Sequence, residues 1–190
     1  MPGSELQSFY AKDRRAWRKW LQKNHLKEEG VWLIYYKKGS GKTRVSWVEA
    51  VEEALCFGWI DSISKPIDEE KYKQKFTPRK LKSVWSAINK KKIELLIEQQ
   101  LMMPAGTRII DIAKQNGSWT KLDAVESFVF PPDLTKFLEK NKRVAKYFEG
   151  LSKSVRKQWL YRMNNAKLPE TRKKRLQELR AEANKNKLIK

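Results

Sequence analysis

The chain is predicted to be α+β: a small sheet of about three strands packed by helices, followed by a helical C-terminal unit. Three observations carry this. Residues 31–38 (VWLIYYKK) are rich in β-branched and aromatic residues and read as the clearest strand in the chain. Residues 71–79 (KYKQKFTPR) alternate, with Tyr72, Gln74 and Phe76 on one face and Lys71, Lys73 and Lys75 on the other. Beyond the double proline in residues 129–134 (VFPPDL), the apolar residues recur only at helical spacing. These patterns divide the chain into an α+β domain over residues 1–130 and a basic helical unit over residues 131–190.

In chain order, Ser4 with Gln7 reads as a capping box. The helix it would open carries Leu6, Phe9, Trp17, Trp20 and Leu21, with a break near Asp13 and its end before Gly30. After the first strand, Ser46 and Glu49 form a second capping box. The helix that follows places Trp47, Val51, Ala54 and Leu55 on its apolar face and Glu49, Glu52 and Glu53 off it. Gly58 stops that helix, and residues 59–63 (WIDSI) read as a short strand ending in a polar turn at Lys65–Pro66. Ser83 or Ser86 caps the next helix, which runs to about Gln100 with Trp85, Ile88, Leu95 and Leu96 inward. Pro104 and Gly106 break the chain before a helix over about residues 107–116, closed by Gly117. The C-terminal unit reads as three helical segments. Residues 133–141 (DLTKFLEKN) and 144–151 (VAKYFEGL) come first, the next has Val155, Trp159 and Met163 on one face, and the last is a strongly basic helix from Pro169 onward.

Composition narrows the function classes. With 40% hydrophobic residues, eight of them Trp, the chain has the bulk for a core, and 190 residues suit one domain with an appendage. The net charge is +20, and residues 131–190 hold 18 basic against 6 acidic side chains, more than half the excess. Such a field attracts polyanions: nucleic acid, an anionic envelope component or an acidic protein. One cysteine, Cys56, excludes an internal disulfide framework and a cysteine metal site. The single histidine, His25, excludes a His-rich centre and reads as a helix C-terminal residue bonding the last carbonyls. No cofactor is called for. The N-terminal residues carry no signal-peptide core, and no window reaches membrane-spanning length, so the expected location is cytoplasmic. Residues 39–43 (GSGKT) imitate a phosphate-binding loop. The pattern needs a glycine where Tyr36 stands, and Lys42 precedes its helix instead of opening it.

Two islands, residues 54–62 (ALCFGWIDS) and 76–90 (FTPRKLKSVWSAINK), are the candidate site. Arg79 and Lys90, with the helix start at Ser86 and Asn89, suit a phosphate or carboxylate. Trp59 and Trp85 offer aromatic faces, and Asp61 and Ser62 sit beside them. The same residues also suit a purely structural role: an Asp61–Arg79 pair pinning two strands, Ser86 as a helix cap, the tryptophans as core. Cys56, on an apolar helix, reads as a small buried hydrophobe. In the basic last helix, Arg172, Lys173, Lys174 and Arg175 point in several directions, so some are free for phosphates, or Arg172 pairs internally with a carboxylate.

The segment "LSKSVRKQWLYRMNNAKLPETRKKRLQEL" resembles the hallmark of the YdeI/OmpD-associated family of bacteriocin-protection proteins. Ala166, Lys167, Pro169, Glu170, Thr171, Arg172 and Arg175 stand in its "AK-x-PETR-x-x-R" places. The stretches "GVWLIYYKK", "EALCFGWIDS", "FTPRKLKSVWSAINK" and "GSW" are similar to longer members, so the resemblance covers nearly the whole chain. Gln100 departs from it, standing where members often carry glycine. The resemblance implies a bacterial cytosolic protein linked to tolerance of bacteriocins or cationic antimicrobial peptides, with no reaction attached. Three functions follow as alternatives: a non-enzymatic binder of a small anionic ligand or partner, a nucleic-acid-binding protein, and an enzyme acting around Trp59, Asp61, Arg79 and Trp85.

Overall fold

The computed structural model describes residues 6–37 and 39–186. They form two compact units divided between Thr120 and Lys121.

The first unit is α+β. Its sheet has four strands, β1 (Ser8–Tyr10), β2 (Val31–Tyr36), β3 (Trp59–Pro66) and β4 (Lys71–Pro78), in the order β1-β2-β4-β3. β1 runs parallel to β2, and the other neighbours are antiparallel. Period-two alternation then sorts the side chains: Val31, Leu33, Tyr35 and Phe76 enter the core. β1 replaces the helix expected from Leu6 onward. Asp13 is extended (φ −156°) and its Oδ1 accepts the Ala16 N–H at 2.7 Å, so it is the N-cap of α1 (Arg14–Asn24). Residues before a cap are free to extend, and Gln7 accepts the Trp32 N–H at 2.9 Å. Ser4, the other half of the expected box, lies outside the described residues.

α2 (Trp47–Cys56) opens on the Ser46–Glu49 capping box. Its inward face includes Glu53, which was expected outside. Glu53 is 2% exposed and receives Arg14 and Arg18 of α1, each at 2.6 Å. A buried carboxylate is tolerated only with such partners. Trp47 is instead 47% exposed, because its indole N–H reaches out to Asp61 at 3.1 Å. Gly58 ends the region at φ +74°, a left-handed value that favours glycine, and β3 runs on to Pro66 through a bulge between Asp61 and Ser64.

α3 (Ala87–Glu98) is capped by Ser86 and buries Ile93 and Leu96. Ile88, expected inward, is 71% exposed, and Leu95 also faces outward. Apolar residues surround this helix, so they do not define one face; Ile93 and Leu96 are the ones that pack inward, and Lys92 pairs with Glu52 of α2 at 2.8 Å. Gln100 adopts φ +56°, which accounts for glycine being suited to that position. α4 (Pro104–Gln115) absorbs the predicted chain break. Pro104 is its first residue, where a missing N–H costs nothing. Gly106 is buried inside it because α4 lies directly on the end of α2: a Cβ there would collide with Cys56 O and stand 2.8 Å from Leu55 O.

The second unit is helical: α5 (Asp123–Glu126), α6 (Pro132–Lys140), α7 (Lys142–Gly150), α8 (Lys153–Asn165) and α9 (Pro169–Lys185). Leu134, Phe148, Trp159, Leu160, Met163 and Leu179 are among its buried core, while Val155 reaches the surface. Arg172 ties it together. Nε and Nη2 hold the Asp133 carboxylate, each at 2.6 Å, and Nη1 donates to Met163 O and Ala166 O at the end of α8. The bidentate fork suits arginine and not lysine.

Two stability predictions follow from these contacts. Gly106→Ala should cost roughly 3 kcal/mol, or about 10 °C in Tm, since backbone carbonyls cannot step aside; thermal unfolding measures it. The Asp133 carboxyl is held below its ordinary value by the Arg172 hydrogen bond. Its ionised form therefore contributes stability above the unfolded pKa of about 3.9, and that contribution is lost as pH falls through the lower folded value. Asp133→Asn should be less stable at neutral pH and should lose less on acidification below about pH 4, read from urea midpoints.

Candidate functional site

The two sequence islands meet. Trp59 stands opposite Pro78 across β3 and β4, and the Arg79 N–H donates to Gly58 O at 2.9 Å. Beside this junction lies a cleft of about 610 Å³. Its walls come from the end of α1 (His25, Leu26), the α2–β3 junction (Phe57 to Trp59), the end of β4 (Pro78, Arg79, Leu81) and the first turns of α4 (Met103 to Ala105, Arg108, Ile109, Ile112). The size and apolar character fit a small-molecule site.

The cleft depends on the seating of α4. The Met103 N–H donates to Cys56 O at 3.1 Å, and a Cβ on Gly58 would lie 2.9 Å from Ile109 and 3.2 Å from Ala105 O. Two glycines thus bring the helix start against the junction. His25 caps α1, with its backbone N–H and Nδ1 both on Leu21 O, and its own carbonyl accepts the Trp59 indole N–H at 3.1 Å. Trp59 is fully packed, edge-on to Trp20, and contributes a wall to the cleft without being a free stacking surface.

Arg79 is the unusual member. It is 6% exposed, and its guanidinium lies 3.7 Å over the Trp85 ring. Nη2 donates to Val84 O at 2.8 Å, and buried Nε has no partner. Among the described residues no carboxylate pairs with it. Burial draws its pKa down to about 10, with Asp61 acting in the opposite direction only through its more distant charge. A desolvated cation without a counter-charge costs several kcal/mol, and ring stacking recovers on the order of 2 kcal/mol of that without neutralising the charge.

The other candidates sit elsewhere. Asp61 accepts from Trp47 and from Gln74 Nε2 at 3.2 Å, so the alternative of an Asp61–Arg79 pair is not what joins the strands. Ser62 is exposed on β3. Ser86 accepts the Asn89 N–H at 3.3 Å as the α3 cap, which accounts for both residues. Lys90 lies over Trp119, whose ring meets Trp85. In the second unit, Arg175 is 3.7 Å from Glu178, Arg172 spends its donors internally, and Lys173 and Lys174 are exposed. Phe57 and Leu81 fall within the two islands but were not singled out, and His25, Leu26 and the α4 residues lie outside them. The one local signal for them was the Pro104–Gly106 pair, legible only as a chain break.

Cys56 is fully buried, and burial pushes its thiol up to about 11, with Glu53 adding to the effect. That is the opposite of an activated nucleophile. Among the described residues no helix is long and apolar enough to cross a membrane.

Comparison with known proteins divides along the chain. Residues 127–186 match the family described as bacteriocin-protection, YdeI or OmpD-associated. Residues 9–109 match a domain of unknown function (DUF8412), and the cleft falls within that stretch apart from Ile112. No curated protein and no solved structure matches.

Cys56 should resist a disulfide reagent such as 5,5′-dithiobis(2-nitrobenzoate) at about pH 8 in the folded protein and react promptly in denaturant. Rapid labelling of native protein would mean that the α2 end opens in solution.

Proposed function

Because the chain belongs to the YdeI or OmpD-associated, bacteriocin-protection family through residues 127–186 and to the DUF8412 domain family through residues 9–109, we propose that it is a non-enzymatic binding protein. On this reading it acts in the bacterial cytoplasm and contributes to tolerance of bacteriocins or cationic antimicrobial peptides by binding a small anion in the cleft.

One observation carries the reading: Arg79, buried at the cleft wall beside apolar side chains, lacks the counter-charge that Glu53 and Asp133 both possess. An anionic group carried on an apolar body would supply it. Arg108 at the exposed rim and the start of α4 add positive potential of the same sign. The net charge of +20 disfavours the simplest protective mechanism, direct capture of a cationic peptide.

The test uses 2-naphthoate against its neutral analogue 2-naphthamide, read by thermal shift and calorimetry. The carboxylate should raise the Tm of the wild-type protein, as ligand linkage requires, and the amide should do so far less. Arg79→Met keeps an unbranched apolar stem in place of the arginine's aliphatic part and removes the buried charge together with the guanidinium over Trp85. It should fold with unchanged or higher stability and lose the naphthoate effect. Equal binding of amide and acid, or naphthoate binding retained in Arg79→Met, would sink the reading. A variant that fails to fold would assign Arg79 to architecture.

A further inference from the structure

We infer that the outer face of the β-sheet is a binding tract for single-stranded nucleic acid, separate from the cleft. The inner face of the sheet is core. Residues directly opposite across a ladder share a face, so the register places Lys71 with Tyr36, Lys73 with Ile34 and Lys75 with Trp32 on the other side. Tyr10 of β1 joins them, edge-on to Tyr36 at 5.3 Å, and Lys65 of β3 stands opposite Lys73. Four lysines and three aromatic rings thus share one face, and none of the strand residues assigned to it by these pairings is acidic.

The arrangement works against stability. Like charges directly opposite on neighbouring strands repel, yet Lys65 and Lys73 occupy such a pair. Both ammonium groups crowd over a single ring, Trp32, at 5.5 and 4.8 Å. Among the described residues Lys71 alone of the four has an ion-pair partner, Asp68 at 3.1 Å in the adjoining turn. Cation–π contact offsets part of the repulsion and holds the amines above the sheet, and Trp32 is only 9% exposed beneath them. Among the described residues Lys65, Lys73 and Lys75 have no negative partner.

Geometry selects the kind of polyanion. Alternate residues on one strand are about 6.6 Å apart, so Lys71, Lys73 and Lys75 form a row at nearly the spacing of successive phosphates on an extended single strand. A sheet face presents no protruding helix or ribbon to enter a duplex groove. Tyr10 and Tyr36 lie beside the row, where bases of a single strand would stack once phosphates draw the amines off the rings.

The probe is a fluorescein-labelled oligothymidylate of about twenty nucleotides, followed by anisotropy from about 50 to about 200 mM salt. The full-length protein should bind it more tightly than a duplex of equal length or phosphatidylglycerol vesicles. A Lys65→Gln/Lys73→Gln/Lys75→Gln variant should lose on the order of a hundredfold in affinity at about 0.1 M salt, with the log–log salt slope falling by about two. A control that removes the same charge from the second unit, Lys167→Gln/Lys173→Gln/Lys174→Gln, should lose less than about fivefold. Should the sheet triple fail to fold, Lys73→Gln alone should lower the slope by about 0.7. Arg79→Met should leave this binding unchanged, which keeps the test independent of the cleft. Equal losses in the two triples would reduce the effect to net charge and overturn the assignment. Preference for duplex or for vesicles would overturn it as well.

Discussion

The first unit depends on how closely α4 approaches the carboxyl end of α2. That approach is set by backbone, since Gly106 leaves no side chain between its helix and the carbonyls of Leu55 and Cys56. Packed interiors do not yield by the width of a methyl group without a cost of about 1–3 kcal/mol, so the distance is effectively fixed. With α4 seated, the Met103 N–H is paired with Cys56 O, and Ile109 lies over Gly58. The start of α4 faces the junction where β3 leaves and β4 returns. The cleft is the space left by that seating.

Buried charge is handled in two ways within this unit. Glu53 is a carboxylate in the core, and two arginines from α1 close on it. Arg18 also donates to Leu101 O at 2.9 Å, which ties the turn before α4 to the same brace. The brace makes α1, α2 and the approach to α4 one body. Arg79 is buried nearly as deeply, but its partners are a ring face and one carbonyl. Neither neutralises it. The contrast matters because both charges sit in one core built from the same few elements, and only one is balanced. A fold able to deliver two arginines to a carboxylate has the means to deliver a carboxylate to an arginine.

Much of the frame was legible in the sequence. A run rich in β-branched and aromatic residues marked β2, strict alternation marked β4, and capping chemistry marked the start of α2. Other features were hidden for specific reasons. β1 has three residues in a parallel edge pairing, too few to display a period, and Phe9 fits a helical spacing by coincidence. Glu53 reads as solvent-facing until the arginines of α1 are brought onto it. Proline and glycine in one turn signal a break, yet here Pro104 starts a helix and Gly106 is required by a neighbouring helix. Of the site, Trp59 and Arg79 stood out because their islands are locally unusual. Asp61 looked like the natural partner of Arg79, but register sets it opposite Phe76 and beside Gln74. The cleft residues outside the two islands, from His25 and Leu26 to the α4 side chains, share no common pattern, because topology alone unites them.

The family description and the cleft belong to different parts of the chain. The matched segment lies in the second unit, where Arg172 joins Asp133 to the end of α8. A motif can therefore mark a family through architecture alone. Electrostatics bears on how tolerance would arise. At physiological salt the Debye length is about 8 Å, so a cationic peptide meets repulsion only near the surface, but there it faces a protein of charge +20. Direct neutralisation of such a peptide is thus the mechanism least suited to this chain. An anion suits it at two scales. Buried Arg79 offers one desolvated charge, which on the proposed reading would favour a single anionic group on an apolar body. On the proposal above, the lysines of the outer sheet face would take a chain of phosphates and release it as salt rises. The two modes respond differently to ionic strength, because a buried contact is shielded from salt and a surface tract is not.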